Sequence, residues 1–257
     1  MHVPFDPHLL RSAGPLQALD ARCKVLGFAA LIVCSVSVPR ERWQPAAAFL
    51  AAAALLLLLA RLPWGPLLKR LLLLLPILAA VALVVPLSKA WAGADRVALW
   101  PDGPLVPRPA LLVAWNVSAK ALTGTVLALV LAGTTGAPAL LDAFSRLRFP
   151  RHLLLIASFI HRYTATLVEE LERMRRARDA RGWRGRWLWH TPVLGRMLGT
   201  LFLRSYERGE RVWLAMLARG WNGRFYSSPP RPLAPHDLAF VGWMLAAGLA
   251  LRFAWGL

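Results

Sequence analysis

Acidic residues, lysine and cysteine are all scarce in this 257-residue chain, and each scarcity removes a class of function. Asp and Glu together number 13. None of them falls in the apolar runs described below, so an intramembrane proton relay or carboxylate metal site has no residues to use. The four lysines, Lys24, Lys69, Lys89 and Lys120, are preceded by Cys, Leu, Ser and Ala. None completes the Gly-Lys-Ser/Thr of a Walker loop, so ATP is not bound by that route. Two cysteines, Cys23 and Cys34, are too few for a disulfide-stapled secreted domain. His2, His8, His152, His161, His190 and His236 lack ligand spacing, so no metal site is expected. No catalytic or cofactor-binding residue stands out, and an enzyme is not expected. Residues 1–23 lack the basic start and short apolar core of a secretory signal, so no cleavage is expected.

What is abundant is apolar surface and arginine. The chain is 57% hydrophobic and only 17% charged, with mean hydropathy +0.48, which is too apolar for an ordinary soluble domain. Its formal charge is nonetheless +18, so the basic residues must lie outside the bilayer. Apolar runs at 25–38 and 46–60 read as a hairpin of two spans, joined by a proline-bounded turn with Trp43 at the interface. Residues 71–87 form a third span and residues near 111–133 a fourth, with a breaker-rich loop at 89–109 between them. Asn116 and Lys120 lie in the fourth span and receive no role. Residues 238–257 form a fifth, with Arg252 as an interfacial anchor.

The expected fold is therefore all-α: a polytopic membrane protein of about five transmembrane helices, with long amphipathic helices between the last two spans. Three regions follow: 1–138 with four spans, 139–236 as a cytoplasmic helical region, and 237–257 as the last span. Residues 142–231 hold 18 arginines and 7 acids, which places this segment in the cytoplasm by the positive-inside bias. The amino terminus is then cytoplasmic, and the loop at 89–109 lies outside.

Within that segment the chain repeats itself at an offset of 38 residues. Ala-Arg-Gly-Trp occurs at 180–183 and again at 218–221. The match extends through Glu169/Glu207, Glu172/Glu210, Arg173/Arg211, Ala177/Ala215, Gly185/Gly223 and Arg186/Arg224. A proline-free stretch runs up to each motif and stops at glycine, which suits a helix with a glycine cap. Leu167, Leu171, Met174 and Ala177 form one apolar stripe on the first copy. An isolated arginine near a membrane reads most simply as attraction to anionic lipid, at about 1 kcal/mol. Lipid attraction has no need of small neighbours, however. The paired Ala180, Arg181, Gly182 and Ala218, Arg219, Gly220 point to insertion of each arginine into a partner's pocket, and so to two equivalent partners.

A polytopic membrane protein with two such motifs resembles the transmembrane T component of energy-coupling factor (ECF) transporters. Leu19 to Lys24 (Leu-Asp-Ala-Arg-Cys-Lys) resembles the family's Leu-Asp-Pro-Arg-x-Lys, departing at Ala21. Thr134 and Thr135, the run from Leu147 to Pro150, and His161 to Tyr163 resemble the cobalt-type branch, CbiQ. The resemblance implies a non-catalytic coupling subunit in the inner (cytoplasmic) membrane of a prokaryotic cell. Two ATP-binding-cassette (ABC) ATPases would bind the ATP and dock on Arg181 and Arg219. A membrane-embedded S component would capture cobalt or nickel; a T component serving vitamin S components is the alternative within the family. This chain would bind no cofactor, and its other partner is the lipid bilayer. Against this stands a membrane-anchored basic protein that binds anionic lipid or nucleic acid, as a pI near 11.6 permits. Such binding would tolerate Arg→Lys exchange, whereas a pocket would not, and no nucleic-acid partner is expected.

Overall fold

The computed structural model describes residues 15–39, 43–87, 96–98, 105–183, 191–223 and 233–254. Expectations placed on His2, His8, Lys89, Gly185, Arg186, His190 and Arg224 lie outside the described residues. The elements in order are α1 (Ala21–Val36), α2 (Gln44–Ala60), α3 (Trp64–Leu87), β1 (Arg96–Ala98), β2 (Leu105–Pro107), α4 (Arg108–Thr134), α5 (Ala137–Arg146), α6 (Arg151–Ala180), α7 (Thr191–Ala218) and α8 (Pro235–Phe253). Among the described residues the regular structure is thus helical apart from one short ribbon. In it β1 pairs antiparallel with β2, Val97 opposite Val106, in the stretch expected to be plain loop. Helix α3 begins at Trp64 rather than 71 and carries Lys69 and Arg70 in its first turns, while α8 begins at Pro235 and takes in Asp237.

The contacts divide into two compact units, residues 6–143 with 230–257, and residues 144–229. In the first unit, side chains from one helix close the ends of another. Asp20 caps α1 by accepting the Arg22 N–H at 2.9 Å, an interaction worth about 1 kcal/mol. The buried Asp237 accepts the Asp20 N–H at 2.9 Å and the Ala234 N–H at 3.1 Å, so α1 and α8 start side by side. They stay close because Gly27 faces Phe240 and Met244, and Gly248 faces Cys34.

Helices α1 and α4 run antiparallel and are held by reciprocal lysines. Lys24, near the start of α1, donates to the Thr134 carbonyl at the end of α4 (3.2 Å) and to Gln17 (3.3 Å). Lys120, within α4, donates to the carbonyls of Val36 (3.0 Å) and Val38 (2.7 Å) at the end of α1. Each ammonium thus meets the end of a helix where carbonyls lack intrahelical donors and the dipole is negative. Asn116 donates to Leu112 O in its own helix, at 2.9 Å. Helices α2 and α4 run parallel, joined at their starts by Trp115 Nε1 donating to Trp43 O (3.3 Å) and at their ends by Leu62 against Gly133.

The core of this unit centres on Phe28, Leu31, Phe49, Leu127, Val130 and Met244, all buried between helices. By contrast, α3 exposes Leu72, Leu73, Ile77, Leu83 and Val84. Leu67–Val85 in α3 and Arg108–Thr134 are long and apolar enough to cross a membrane.

Candidate docking site

The unit of residues 144–229 is built on α6 and α7, which pack antiparallel. Glu170 at mid-α6 pairs with Arg204 on α7 and, at 2.8 Å, with Arg173 one turn along its own helix. The hydrogen bond from Arg204 holds the Glu170 carboxyl below its usual range, and the charges of Arg173 and Arg208 act in the same direction. On one side of this pair Phe159, Tyr163 and Leu167 face Val212, Trp213 and Met216 across a cavity of about 280 Å³. On the other side Met174, Arg178, Arg181 and Trp183 face Arg196 and Met197 across a cavity of about 510 Å³.

Both repeat motifs end a helix in the same register, and the glycine of each has a geometric reason to be there. Ala180 and Ala218 are the last helical residues, and Arg181 and Arg219 follow as C-caps. Gly182 (φ +76°) and Gly220 (φ +74°) take the left-handed conformation that reverses the chain. The Gly220 N–H donates to Leu217 O (2.9 Å) and the Trp221 N–H to Met216 O (3.0 Å), the bond pair of a Schellman turn; Gly182 donates to Asp179 O (3.0 Å). A Cβ built on either glycine would meet nothing within 4 Å. Within the chain the glycines therefore answer to backbone conformation, and the space beside each is open.

Arg181 and Arg219 are both exposed, and neither guanidinium forms an ion pair among the described residues. The neighbouring Arg178 is committed instead: its Nε and Nη2 donate to Asp179 Oδ1 at 2.9 and 2.7 Å, and its guanidinium lies 4.0 Å from the centre of the Trp183 ring. Because α6 and α7 run antiparallel, the two exposed arginines stand at opposite ends of the pair. At 1.5 Å of rise per residue their separation is on the order of 30–40 Å. Two rigid, forked cations that far apart can each engage a carboxylate-bearing groove on a separate protein. The repeat located both arginines in the sequence. The roles of Arg178 and Asp179 had no signal there, since the second copy has Met216 and Leu217 at those positions.

Among the described residues no group of three or more His, Cys, Asp or Glu side chains is placed to hold a metal ion.

Comparison with known proteins points in one direction. A family model described as CbiQ, cobalt transport protein, matches residues 13–229. A putative fused cobalt transport protein CbiMQ of Methanocorpusculum labreanum is 25% identical over 229 residues, which are 86% of this chain and 38% of that protein. An uncharacterized protein of Methanocaldococcus jannaschii is 25% identical over 244 residues, 92% of this chain and 82% of its own length. A second uncharacterized protein of that organism is 31% identical over 105 residues, 41% of this chain and 39% of its own length.

Proposed function

This chain belongs to the CbiQ cobalt transport protein family, and we propose that within a cobalt transport system it is the non-catalytic coupling subunit of an ECF-type importer. On this reading α1, α2, α3, α4 and α8 cross the inner membrane of a prokaryotic cell, and α6 and α7 lie in the cytoplasm. Two ABC-type ATPase subunits bind and hydrolyse the ATP, one docked on Arg181 and the other on Arg219. A membrane-embedded S component captures cobalt or nickel, and the motion of α6 and α7 on ATP-driven closure reaches it through this chain.

The observation that carries the reading is the pair of exposed C-cap arginines, presented by the same turn at opposite ends of one helix pair. Helix directions agree with five crossings: α1 and α8 start on the same side of their unit, where α2 and α4 end. The positive charge of residues 142–231 supports a cytoplasmic location. This chain spans about 38% of the length of the fused relative, whose description as a fused cobalt transport protein supports a further transport component working beside a CbiQ-like part.

The test is metal uptake and ATPase co-purification by cells carrying Arg181→Glu with Arg219→Glu. Each reversal is expected to weaken docking by about 2–4 kcal/mol. The double variant should therefore reach the membrane, lose both ATPases and take up neither cobalt nor nickel. Uptake at the wild-type rate would sink the reading. Unchanged docking in Arg→Lys variants, together with steep loss on added salt, would favour non-specific attraction to anionic surfaces.

A further inference from the structure

The four-residue repeat contains a tryptophan that the docking reading does not use. We propose that Trp183 and Trp221 are positioning residues, each clasping the turn that aims the arginine two residues before it. This inference rests on the docking reading and assigns it two further side chains.

In both copies the tryptophan closes back on its own helix, but it meets a different position: the residue five back in the first copy and eight back in the second. At the end of α6, Trp183 folds back over the guanidinium of Arg178, 4.0 Å from the ring centre, while Asp179 holds the other edge of that guanidinium. The Arg178 side chain is only 15% exposed as a result. At the end of α7, Trp221 meets the edge of Trp213, with ring centroids 5.5 Å apart and planes at 77°. By the 38-residue offset, Arg178 corresponds to Met216 and Arg175 to Trp213. The tryptophan recurs, and the surface it closes on has changed from a cation to an aromatic ring.

Both are strong ways to fasten the last turn of a helix. Contact between the residue after the left-handed glycine and the preceding helical turn accompanies Schellman caps, and cation–π and edge-to-face pairs each add to plain burial. An arginine on a fraying helix end would sample many directions and lose that freedom on docking. One on a clasped turn has already lost most of it, which favours binding without any new contact. Trp183 thus acts through Arg181, and Trp221 through Arg219.

The experiment measures binding of a labelled ATPase subunit to the detergent-purified full-length chain, with the other site silenced by Arg→Glu so that one end is read at a time. With the second site silenced, Trp183→Ala is expected to weaken binding roughly tenfold, an effect of preorganisation. Trp183→Phe, which keeps an aromatic face over Arg178, should recover most of it. Arg178→Met alone should weaken binding similarly, whereas Arg175→Trp with Arg178→Met installs the clasp of the second copy and should restore it. With the first site silenced, Trp221→Ala and Trp221→Phe should behave as the corresponding Trp183 pair does.

If Trp183→Ala and Trp221→Ala bind as tightly as the parent while Arg181→Ala and Arg219→Ala do not, the positioning role is overturned and docking stands. If Phe fails to rescue although helix content is unchanged, the tryptophans touch the partner directly, and the positioning role is again overturned. If Arg181→Ala and Arg219→Ala bind normally, it is the docking reading itself that fails.

Discussion

Lys120 carries more of the fold than its place in an apolar helix suggests. Its ammonium closes the end of α1 through Val36 and Val38, as Lys24 closes the end of α4 through Thr134. Lys120→Met keeps most of the aliphatic length and deprives two carbonyls of this donor. That should cost about 1–3 kcal/mol and lower the thermal unfolding midpoint in detergent by several degrees. Lys69→Met, at an exposed position on α3, should leave the midpoint unchanged. Equal midpoints for the two variants would mean that the reciprocal lysines do not hold these helices. None of this was legible beforehand. A lysine within an apolar run shows that something must receive its charge, but the receiving carbonyls lie more than 80 positions away. The resemblance at Leu19 to Lys24 drew attention to Asp20 and Lys24, and that at Thr134 to α4's end. The hydrogen bond between Lys24 and Thr134 shows that these two stretches meet.

At the scale of elements, one carboxylate ties the middle of α6 to α7. Glu170 has its pKa depressed, mainly by the hydrogen bond from Arg204. A depressed acid contributes stability above its unfolded pKa, about 4.3, and that contribution is lost as pH falls through the lower folded value. The mid-helix contact should therefore be constant from neutral pH to about 5 and loosen below about 4. Spin labels on exposed positions of α6 and α7 should report a broadened distance there, and Glu170→Gln should show that breadth already at neutral pH. A distance distribution unchanged between pH 7 and pH 3.5 would contradict the assignment.

Helix ends marked by a repeated Ala-Arg-Gly were readable because only glycine takes the left-handed turn cheaply. The end of α5 was not. There Arg148 occupies that conformation (φ +61°), the Phe149 N–H donates to Phe144 O at 3.1 Å, and the two phenylalanine rings pack together. A non-glycine residue in this role leaves no signal in composition. The β1–β2 ribbon escaped notice for a similar reason, since three-residue strands between prolines and glycines carry no alternation to detect. Helix α3 began early because Lys69 and Arg70, which bounded the apolar run, remain helical themselves.

At the scale of the whole molecule, the apolar character that composition announced reappears as exposed side chains. Leu72, Leu73, Ile77, Leu83 and Val84 lie on one helix without cover, and a continuous patch of that kind belongs against lipid or a partner. The α2 segment and the fourth apolar run were found nearly to the residue, because a long uninterrupted apolar stretch marks the extent of a helix clearly. The spatial relation between Arg181 and Arg219 was beyond the sequence. A repeat shows two similar ends, and only the antiparallel packing of α6 on α7 places them far enough apart for two separate proteins.

The number of ATPase subunits bound is therefore the quantity to measure first. Native mass spectrometry of the complex purified in mild detergent should find two ATPase subunits per chain for the wild type, one for Arg181→Glu or Arg219→Glu alone, and none for the double variant. Two ATPases retained on the double variant, or none on the wild type under conditions that preserve its other contacts, would contradict a chain that couples two ATPases through two arginines.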